Sequence, residues 1–164
     1  MYIRKSTIED YETMVQIYTR ARRFMAENGN PNQWGPTRWP PEALLREDIQ
    51  AGKSYICAGD NGEILGTFFY DFGVDIEPNY RVTEGGSWRD ASAFGVIHRL
   101  ASAGTEKGVG AFCLDWAFRQ SGHLKVDTHP DNAVMRSLLK QCGFTERCII
   151  HVPEDEYPRI AFEK

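Results

Sequence analysis

The chain has 164 residues, 41% of them hydrophobic, which suffices for one core and predicts a single domain over residues 1–164. Its net charge of −4 argues against nucleic-acid binding, which needs a basic face to neutralise phosphates. No stretch approaches the roughly 20 apolar residues that span a bilayer, and the first residues lack the apolar core of a signal peptide. The four cysteines show no C-x-x-C spacing, which favours reduced thiols. We therefore expect a cytoplasmic protein that binds neither nucleic acid nor membrane.

A short strand and two helices are predicted for the first third of the chain. The strand covers Tyr2 to Lys5, and Ser6-Thr7-Ile8-Glu9 fits a capping box at the start of a helix. That helix ends at Asn28-Gly29, and a loop rich in aromatic residues and prolines follows. Pro40-Pro41 suits the start of a second helix, which Gly52 closes.

The middle of the chain predicts three strands. Ser54 to Ala58 and Glu63 to Phe72 are joined through Asp60-Asn61-Gly62, a strong hairpin signal. Residues 73–92 have no clear period, and a loop of that length in a small domain is usually functional or disordered. A buried strand from Ala93 to Ser102 follows.

A turn containing glycine leads from this strand into a helix. Apolar residues recur after the turn at helical spacing, at Val109, Phe112, Cys113, Trp116 and Ala117. Gly108 and Gly110 would let backbone N–H groups approach an anion at the helix N-terminus, and Lys107 adds a positive charge. A G-x-G before a helix is by itself a weak signal.

The last third of the chain predicts a strand, a helix and a final hairpin. The strand covers His123 to Thr128, the helix Asn132 to Cys142, and the hairpin Thr145 to Val152 and Arg159 to Phe162. The complete order, β-α-α-β-β-β-α-β-α-β-β, predicts an α/β fold with about seven strands in one mixed sheet and helices on both faces.

This order and two motifs resemble the GNAT superfamily of N-acetyltransferases, which use acetyl-coenzyme A. The pyrophosphate motif of that family, Gln/Arg-x-x-Gly-x-Gly/Ala, is matched by Thr105-Glu106-Lys107-Gly108-Val109-Gly110, with Thr105 in place of the usual Arg or Gln. Asn132 and Gly143-Phe144 bracket the last helix as in the family. A narrower likeness to bacterial members lies in four strings: Gly29-Asn30-Pro31-x-Gln33-Trp34, Ile97-His98-Arg99, Asp127-Thr128-His129-x-Asp131-Asn132 and Arg159-Ile160-Ala161.

The resemblance implies transfer of the acetyl group of acetyl-CoA to a primary amine, on a small molecule or a peptide, by direct attack in a ternary complex. It implies that the fourth and fifth strands splay apart around the acetyl group. Backbone groups of Leu100 and Ser102 would pair with the pantetheine arm, and Asn132 would bond to the pantetheine or ribose end. The pyrophosphate would lie on Thr105, Lys107, Gly108, Val109, Gly110 and Ala111. The likeness also allows a homodimer.

Attack by an amine requires a base, because an alkylammonium with a pKa of about 10 has no free lone pair. His98 is the candidate base, since it lies on the strand expected to carry the thioester and imidazole titrates in the useful range. A core histidine bonded to a loop is the other interpretation. His129 could instead orient the last helix, and Arg99 is expected to be an ion-pair partner. Four scattered histidines predict no metal site.

The family's proton donor to the thiolate, a tyrosine five residues before the Gly-Phe phenylalanine, is Leu139 here. Tyr70, Cys142 or water could replace it, with Tyr70 as the candidate acid, or the thiolate could leave unprotonated because its pKa is low enough. The missing tyrosine supports the alternative function, a non-catalytic acyl-CoA-binding or sensing module of the same fold.

Asn30, Gln33 and Trp34 lie where the family builds its acceptor pocket, and Trp88 and Tyr80 could close that pocket from the long loop. Acidic residues nearby would suit a cationic amine: Asp71, Asp75, Glu77 and Glu84. Aromatic residues that wedge loops together and acidic residues that keep loops soluble are the equally open interpretation.

Overall fold

The computed structural model describes residues 1–164 and builds them into one seven-stranded sheet with four helices. The strands are β1 (Tyr2–Lys5), β2 (Ser54–Ala58), β3 (Ile64–Gly73), β4 (Phe94–Ser102), β5 (Leu124–Thr128), β6 (Thr145–His151) and β7 (Pro158–Glu163). The helices are α1 (Tyr11–Glu27), α2 (Glu42–Gln50), α3 (Val109–Ser121) and α4 (Ala133–Gln141). The predicted order of elements is confirmed.

The strands lie in the order β1-β2-β3-β4-β5-β7-β6, and every neighbouring pair is antiparallel except β4 and β5. The predicted mixed α/β sheet is therefore confirmed. No helix is both long enough and apolar enough to cross a bilayer.

Helices cover both faces of the sheet, so there are two main cores. On one face α1 and α2 bury a cluster that includes Met14, Leu45 and Ile56. On the other face α3 and α4 bury the largest cluster, which includes Cys113 and Leu139. Burial of these apolar side chains holds the layers together.

The capping box of the first helical segment lies one residue later than predicted. Thr7, rather than Ser6, is the N-cap of a short 3-10 turn (Ile8–Asp10) that leads into α1, and its backbone N–H donates to Asp10 Oδ2 at 2.8 Å. Asp10 also binds the Arg4 guanidinium through both oxygens, at 2.7 and 2.8 Å. This second partner explains why the carboxylate at 10 is used instead of that of Glu9.

The long segment between β3 and β4 contains one 3-10 turn, Pro78–Tyr80, and is otherwise irregular. Glu84 forms an isolated antiparallel bridge with Ile149 of β6, which fixes the far part of the segment to the sheet. Tyr80 is buried in a third cluster with Phe94 and Cys148. The segment is thus packed along the sheet over part of its length.

Strands β4 and β5 separate soon after they meet. They pair only at Gly95 with Leu124 and at Val96 with Lys125, although β4 continues for six more residues. The predicted splay is therefore present. A bulge lies in the part of β4 that leaves β5, because Arg99 and Leu100 stand opposite a single residue of β3.

The packing of α3 against α4 depends on the absence of a side chain at Gly110. A Cβ built there would lie 2.8 Å from Leu138 Cδ2, closer than side-chain atoms normally approach. We predict that Gly110→Val lowers the free energy of unfolding by about 1–3 kcal/mol through overpacking. Denaturant unfolding measures this, and adding Leu138→Ala should make the double mutant more stable than the sum of the two single changes predicts. Strict additivity would contradict this account.

Candidate functional site

A cavity of about 440 Å³ lies where β4 and β5 separate. Its lining comes from α1, the α1–α2 connection, the long β3–β4 segment, β4, the start of α3, β5, α4 and the β6–β7 connection. A concave site lined by apolar groups and a few converging polar groups is the usual form of a small-molecule site. The lining has two chemically different ends.

One end lies beside the turn between β4 and α3, where backbone donors are free. The seven consecutive N–H groups from Thr105 to Ala111 donate to no other protein group. Gly108 is the N-cap of α3 with φ +81°, and the space above it is open. The helix dipole adds partial positive charge at the same place. This end fits an anionic group such as a diphosphate.

The predicted pyrophosphate residues present free backbone N–H groups, and some of their side chains have other roles. Gly110 lines the cavity, but its lack of a side chain serves the contact with Leu138. Val109 is buried in the core, so only its backbone N–H is available. Thr105, Lys107 and Ala111 contribute backbone groups beside the cavity rather than wall side chains.

An arginine missed in the sequence lies at the same end. Arg20 of α1 lines the cavity, and its guanidinium lies so close over Gly104 that a Cβ there would overlap it. Gly104 has φ +72°, which glycine adopts without strain. A cation beside the free N–H groups further favours an anionic ligand.

The floor of the cavity is the bulged part of β4. Arg99 has φ +55°, and this left-handed conformation turns the strand at the bulge. Leu100 and Ser102, which are expected to pair with the pantetheine arm, both line the cavity, and Leu100 has no partner in the β3 register. The Ser102 hydroxyl accepts a hydrogen bond from Gly104 N–H at 3.0 Å. The floor therefore supplies backbone groups to an extended ligand.

The other end of the cavity contains His98 between two carboxylates. His98 Nε2 lies 2.9 Å from Glu77 Oε2, and Nδ1 lies 3.8 Å from Asp127 Oδ2. The second distance is too long for a hydrogen bond, so Nδ1 is open to a ligand atom. The ring is stacked on Phe69, with centroids 5.9 Å apart. His98 is thus held at Nε2 and along one face of its ring.

The ionisation of Glu77 determines which imidazole nitrogen carries the proton. Burial raises the pKa of Glu77, but the hydrogen bond and charge of His98 and the Asn79 backbone N–H bring the net pKa below its ordinary value. An ionised carboxylate only accepts hydrogen bonds, so Nε2 of His98 is the donor. Nδ1 of the neutral ring is left as a proton acceptor.

Asp127 is held in place by Tyr80, at the same carboxylate oxygen that faces His98. The Tyr80 hydroxyl donates to Asp127 Oδ2 at 2.8 Å, and burial followed by the charge of Asp127 raises the pKa of Tyr80 well above its ordinary value. Tyr80 therefore stays protonated and keeps this carboxylate oriented. The resemblance contained Asp127, but nothing in the sequence singled it out from its neighbours.

Two further predictions are confirmed. Arg99 forms an ion pair with Asp48 of α2, with Nη2 and Oδ2 2.6 Å apart. His129 accepts a hydrogen bond at Nδ1 from the Asp131 N–H, as expected of a residue that orients the turn before α4. Burial, followed by the charge of Arg159, lowers the pKa of His129, which keeps that nitrogen unprotonated.

Three side-chain amides meet at the upper wall of the cavity; we refer to Asn30, Gln33 and Asn132 as the amide cluster. Asn30 Nδ2 donates to Gln33 Oε1 at 2.7 Å, and Asn132 Nδ2 donates to the same oxygen at 2.9 Å. Gln33, Asn132 and Trp34 line the cavity, whereas Asn30 is buried behind Gln33. Asn132 uses one of its two amide N–H donors on Gln33 and one lone pair of Oδ1 on Met135, so a donor and a lone pair remain for the bond to the carrier that the resemblance implies.

Two predicted residues lie away from the cavity. Tyr70 belongs to the core cluster under α3, where its ring packs on Trp116, with centroids 5.4 Å apart. Trp88 donates from Nε1 to the Tyr80 carbonyl at 2.9 Å and packs against Tyr80 behind the sheet. Neither lines the wall, because alternation and the path of the long loop direct both into packing. Tyr70 is therefore not retained as an acid, nor Trp88 as an acceptor contact.

The His98 end of the cavity is lined by carboxylates. Of the four acidic residues predicted to suit a cationic amine, only Glu77 lines the cavity; Asp71 pairs with Lys53, and Asp75 and Glu84 are exposed. The remaining carboxylates of this end come from later elements: Asp127, Glu154 and Asp155. The guanidinium of Arg159 is already paired with Asp155, at 2.6 and 3.0 Å. Negative charge therefore exceeds free positive charge here.

No family model matches the sequence, and a comparison with curated proteins gives no significant match. Solved structures do match. A GNAT-family acetyltransferase from Streptococcus agalactiae is 20% identical, with 99% of this chain and 94% of that chain covered and a TM-score of 0.86. GNAT-family acetyltransferases from Listeria monocytogenes and Bacillus cereus are 13% and 18% identical, with TM-scores of 0.70 and 0.61, and cover 99% of this chain and 93% and 95% of theirs. The chain has the fold of the GNAT acetyltransferases.

The Asp155–Arg159 pair supports a prediction about stability and pH. Burial raises the pKa of Asp155, but the hydrogen bonds and charge of Arg159 bring it below its ordinary value. A carboxyl with a lowered folded-state pKa stabilises the fold above its unfolded pKa, and this contribution is lost as the pH falls through the folded pKa. Asp155→Asn should therefore cost about 3 kcal/mol near pH 7, because Arg159 is left buried and unpaired. The cost should shrink below a pH of about 4.

The exposed pair of Asp75 and Arg81 is the matched control. Asp75→Asn should change stability little at any pH, because exposed ion pairs are screened by water. Urea unfolding at a series of pH values measures both variants. An equal cost for the two, or a cost for Asp155→Asn that persists in acid, would contradict the assignment.

Proposed function

We propose that this protein is an N-acetyltransferase that moves the acetyl group of acetyl-CoA to a primary amine by direct attack. The observation that carries the proposal is one cavity with free backbone donors at one end and a histidine oriented by a carboxylate at the other. The GNAT acetyltransferase fold supports acetyl transfer in general.

The residues present fit a coenzyme A carrier. The N–H groups of residues 105–111 and the Arg20 guanidinium would hold its diphosphate, and the floor at Leu100 and Ser102 would pair with its pantetheine arm. The parting of β4 from β5 leaves room for an extended chain between them. The carrier supplies an acetyl thioester, which is an activated acyl donor.

The chain's own groups account for the proton movements. Glu77 orients His98 through Nε2, and Nδ1 takes the proton of the attacking amine as the N–C bond forms and the C–S bond breaks. Neither Tyr70 nor Cys142 lines the cavity, so the departing thiolate takes its proton from water. Leu139, at the position of the family's tyrosine, is fully buried.

A route through an acetylated cysteine is less well supported than direct attack. A route through a cysteine nucleophile requires a reachable thiolate, but Cys113 is fully buried, and its neighbour Cys57 together with burial raises its pKa. A sensing module without chemistry has no use for a proton acceptor, whereas Nδ1 of the oriented imidazole has no hydrogen-bond partner in the protein. The Glu77–His98 pair therefore favours catalysis.

The carboxylates at the His98 end of the cavity, where the acceptor would bind, favour a positively charged amine. Asp127 and Glu154 line that end and make no ion pair within 4.0 Å with Lys or Arg. An ammonium would be attracted there before it gives up its proton beside His98. We therefore expect small-molecule or peptide amines as acceptors and poor turnover of neutral nucleophiles.

His98→Ala and His98→Gln test the base. Both should lower kcat with the preferred amine by about 100-fold or more near pH 7, because no group takes the amine proton. The loss should narrow at high pH, where the amine is already neutral. His98→Gln retains an N–H donor for Glu77, which separates loss of the base from loss of folding. Thiol release measures turnover, and exposed His151→Ala is the control; an unchanged kcat would remove His98 from this role.

Gly108→Asp and Gly108→Asn test the diphosphate site. The open space above Gly108 accepts either side chain, and Asp and Asn tolerate the left-handed conformation better than most residues. The added carboxylate should weaken coenzyme A binding by at least about tenfold through repulsion, whereas Asn, of the same shape, should weaken it much less. Calorimetric titration measures both. Equal affinity for the two variants and the wild type would contradict the placement.

A further inference from the structure

The amide cluster connects two separate parts of the chain at the wall of the cavity. Asn30 and Gln33 belong to the α1–α2 connection, and Asn132 stands at the start of α4, about a hundred residues later. The two asparagine side chains donate to one shared acceptor, Gln33 Oε1. The arrangement determines which atom each amide turns towards the ligand.

The orientation of the cluster follows from the capping of α4. Asn132 is the N-cap, and its Oδ1 accepts the Met135 N–H at 3.1 Å, as a helix N-terminus requires. Its NH₂ group must therefore be the atom that faces Gln33. Only an oxygen of Gln33 can accept that bond, so the Gln33 amide has one permitted orientation.

The same orientation leaves a donor directed at the cavity. Gln33 Oε1 accepts two hydrogen bonds, which use both of its lone pairs, and Nε2 has no protein partner. The residue is 8% exposed and lines the cavity. A donor in such a position is costly unless a ligand or water accepts its hydrogen bond.

We infer that Gln33 Nε2 donates a hydrogen bond to a carbonyl oxygen of a ligand in the cavity, with Asn132 as the positioning residue that fixes this donor. The inference rests on the proposed function for the identity of that ligand. Two sources supply such an oxygen: an amide of the pantetheine arm, or a carbonyl carried by the amine acceptor. An ammonium does not fit, since it has no lone pair.

Two substitutions remove the donor in different ways. Gln33→Glu keeps an oxygen for Asn30 and Asn132 but replaces the NH₂ group with a second oxygen. Asn132→Asp keeps the N-cap but presents an oxygen to Gln33, which must then turn its NH₂ group away from the cavity to donate. Gln141→Glu, at the exposed end of α4, is the control for the added charge.

Both variants should retain the wild-type melting temperature within a few degrees and should lose the same ligand contact. Calorimetry with coenzyme A tests the carrier, and thiol release with an amino acid amide and with the alkylamine that lacks its carbonyl tests the acceptor. A loss of coenzyme A affinity of about tenfold in both variants assigns the bond to the pantetheine arm. Unchanged affinity, with kcat/KM about tenfold lower for the amide but not for the alkylamine, assigns it to the acceptor.

The inference is overturned if both variants bind coenzyme A and acetylate both amines as the wild type does. It is also overturned if only Gln33→Glu has an effect, because Asn132→Asp should turn the same donor away from the cavity, or if both amines lose equally while coenzyme A binding is intact. Should the wild type acetylate no amine, the proposed function fails separately. Calorimetric titration of the two amines into the coenzyme A complex then tests Gln33 in place of kcat/KM.

Discussion

The parting of β4 from β5 is the constraint on which the site depends. Two parallel strands in the middle of a sheet normally stay paired, because each buried backbone group needs a partner. Here the pairing stops after Gly95 and Val96, and the bulge at Arg99 turns the rest of β4 aside. The backbone released in this way becomes the floor of the cavity. Arg99 is held in its left-handed conformation by its ion pair with Asp48 and by the Tyr18 hydroxyl, which donates to its carbonyl at 2.9 Å.

The cavity has an electrostatic direction that follows from its two ends. The N-terminus of α3 and Arg20 provide positive potential on one side, while Asp127 and Glu154 provide negative potential on the other. An anionic carrier and a cationic acceptor would therefore enter from opposite ends and meet near His98. Charge would disfavour each ligand at the end that suits the other, so the two ligands would bind at separate ends without a conformational change.

The sequence was sufficient for the fold because its signals are local. Helix caps, the Asp60-Asn61-Gly62 turn and alternating apolar residues each act within a few positions, and the elements they predict are present. The free backbone donors of the β4–α3 turn were also predictable, but only from the family motif, because a glycine-containing turn before a helix is by itself a weak signal. Its two glycines nevertheless have different roles, and only the space above Gly108 is open to a ligand.

The surroundings of His98 were less predictable, because the residues that contact it come from distant segments of the chain. Glu77 was one of four acidic residues of similar local character, and only its contact with His98 distinguishes it. Trp88 and Tyr70 were plausible from their chemistry, but the direction of a side chain on an irregular loop or a curved sheet depends on packing. Asn132 matched a family position, yet its bond to Gln33 joins residues that no short-range pattern connects.

The long segment from Val74 to Ala93 is attached to the sheet partly through the Glu84–Ile149 bridge and partly through the site itself. Glu77 reaches His98, and Tyr80 reaches Asp127, so the groups that orient the reacting side chains also anchor the most irregular part of the chain. Loss of Glu77 or Tyr80 would therefore misorient the polar groups of the cavity and at the same time release part of this segment from the sheet.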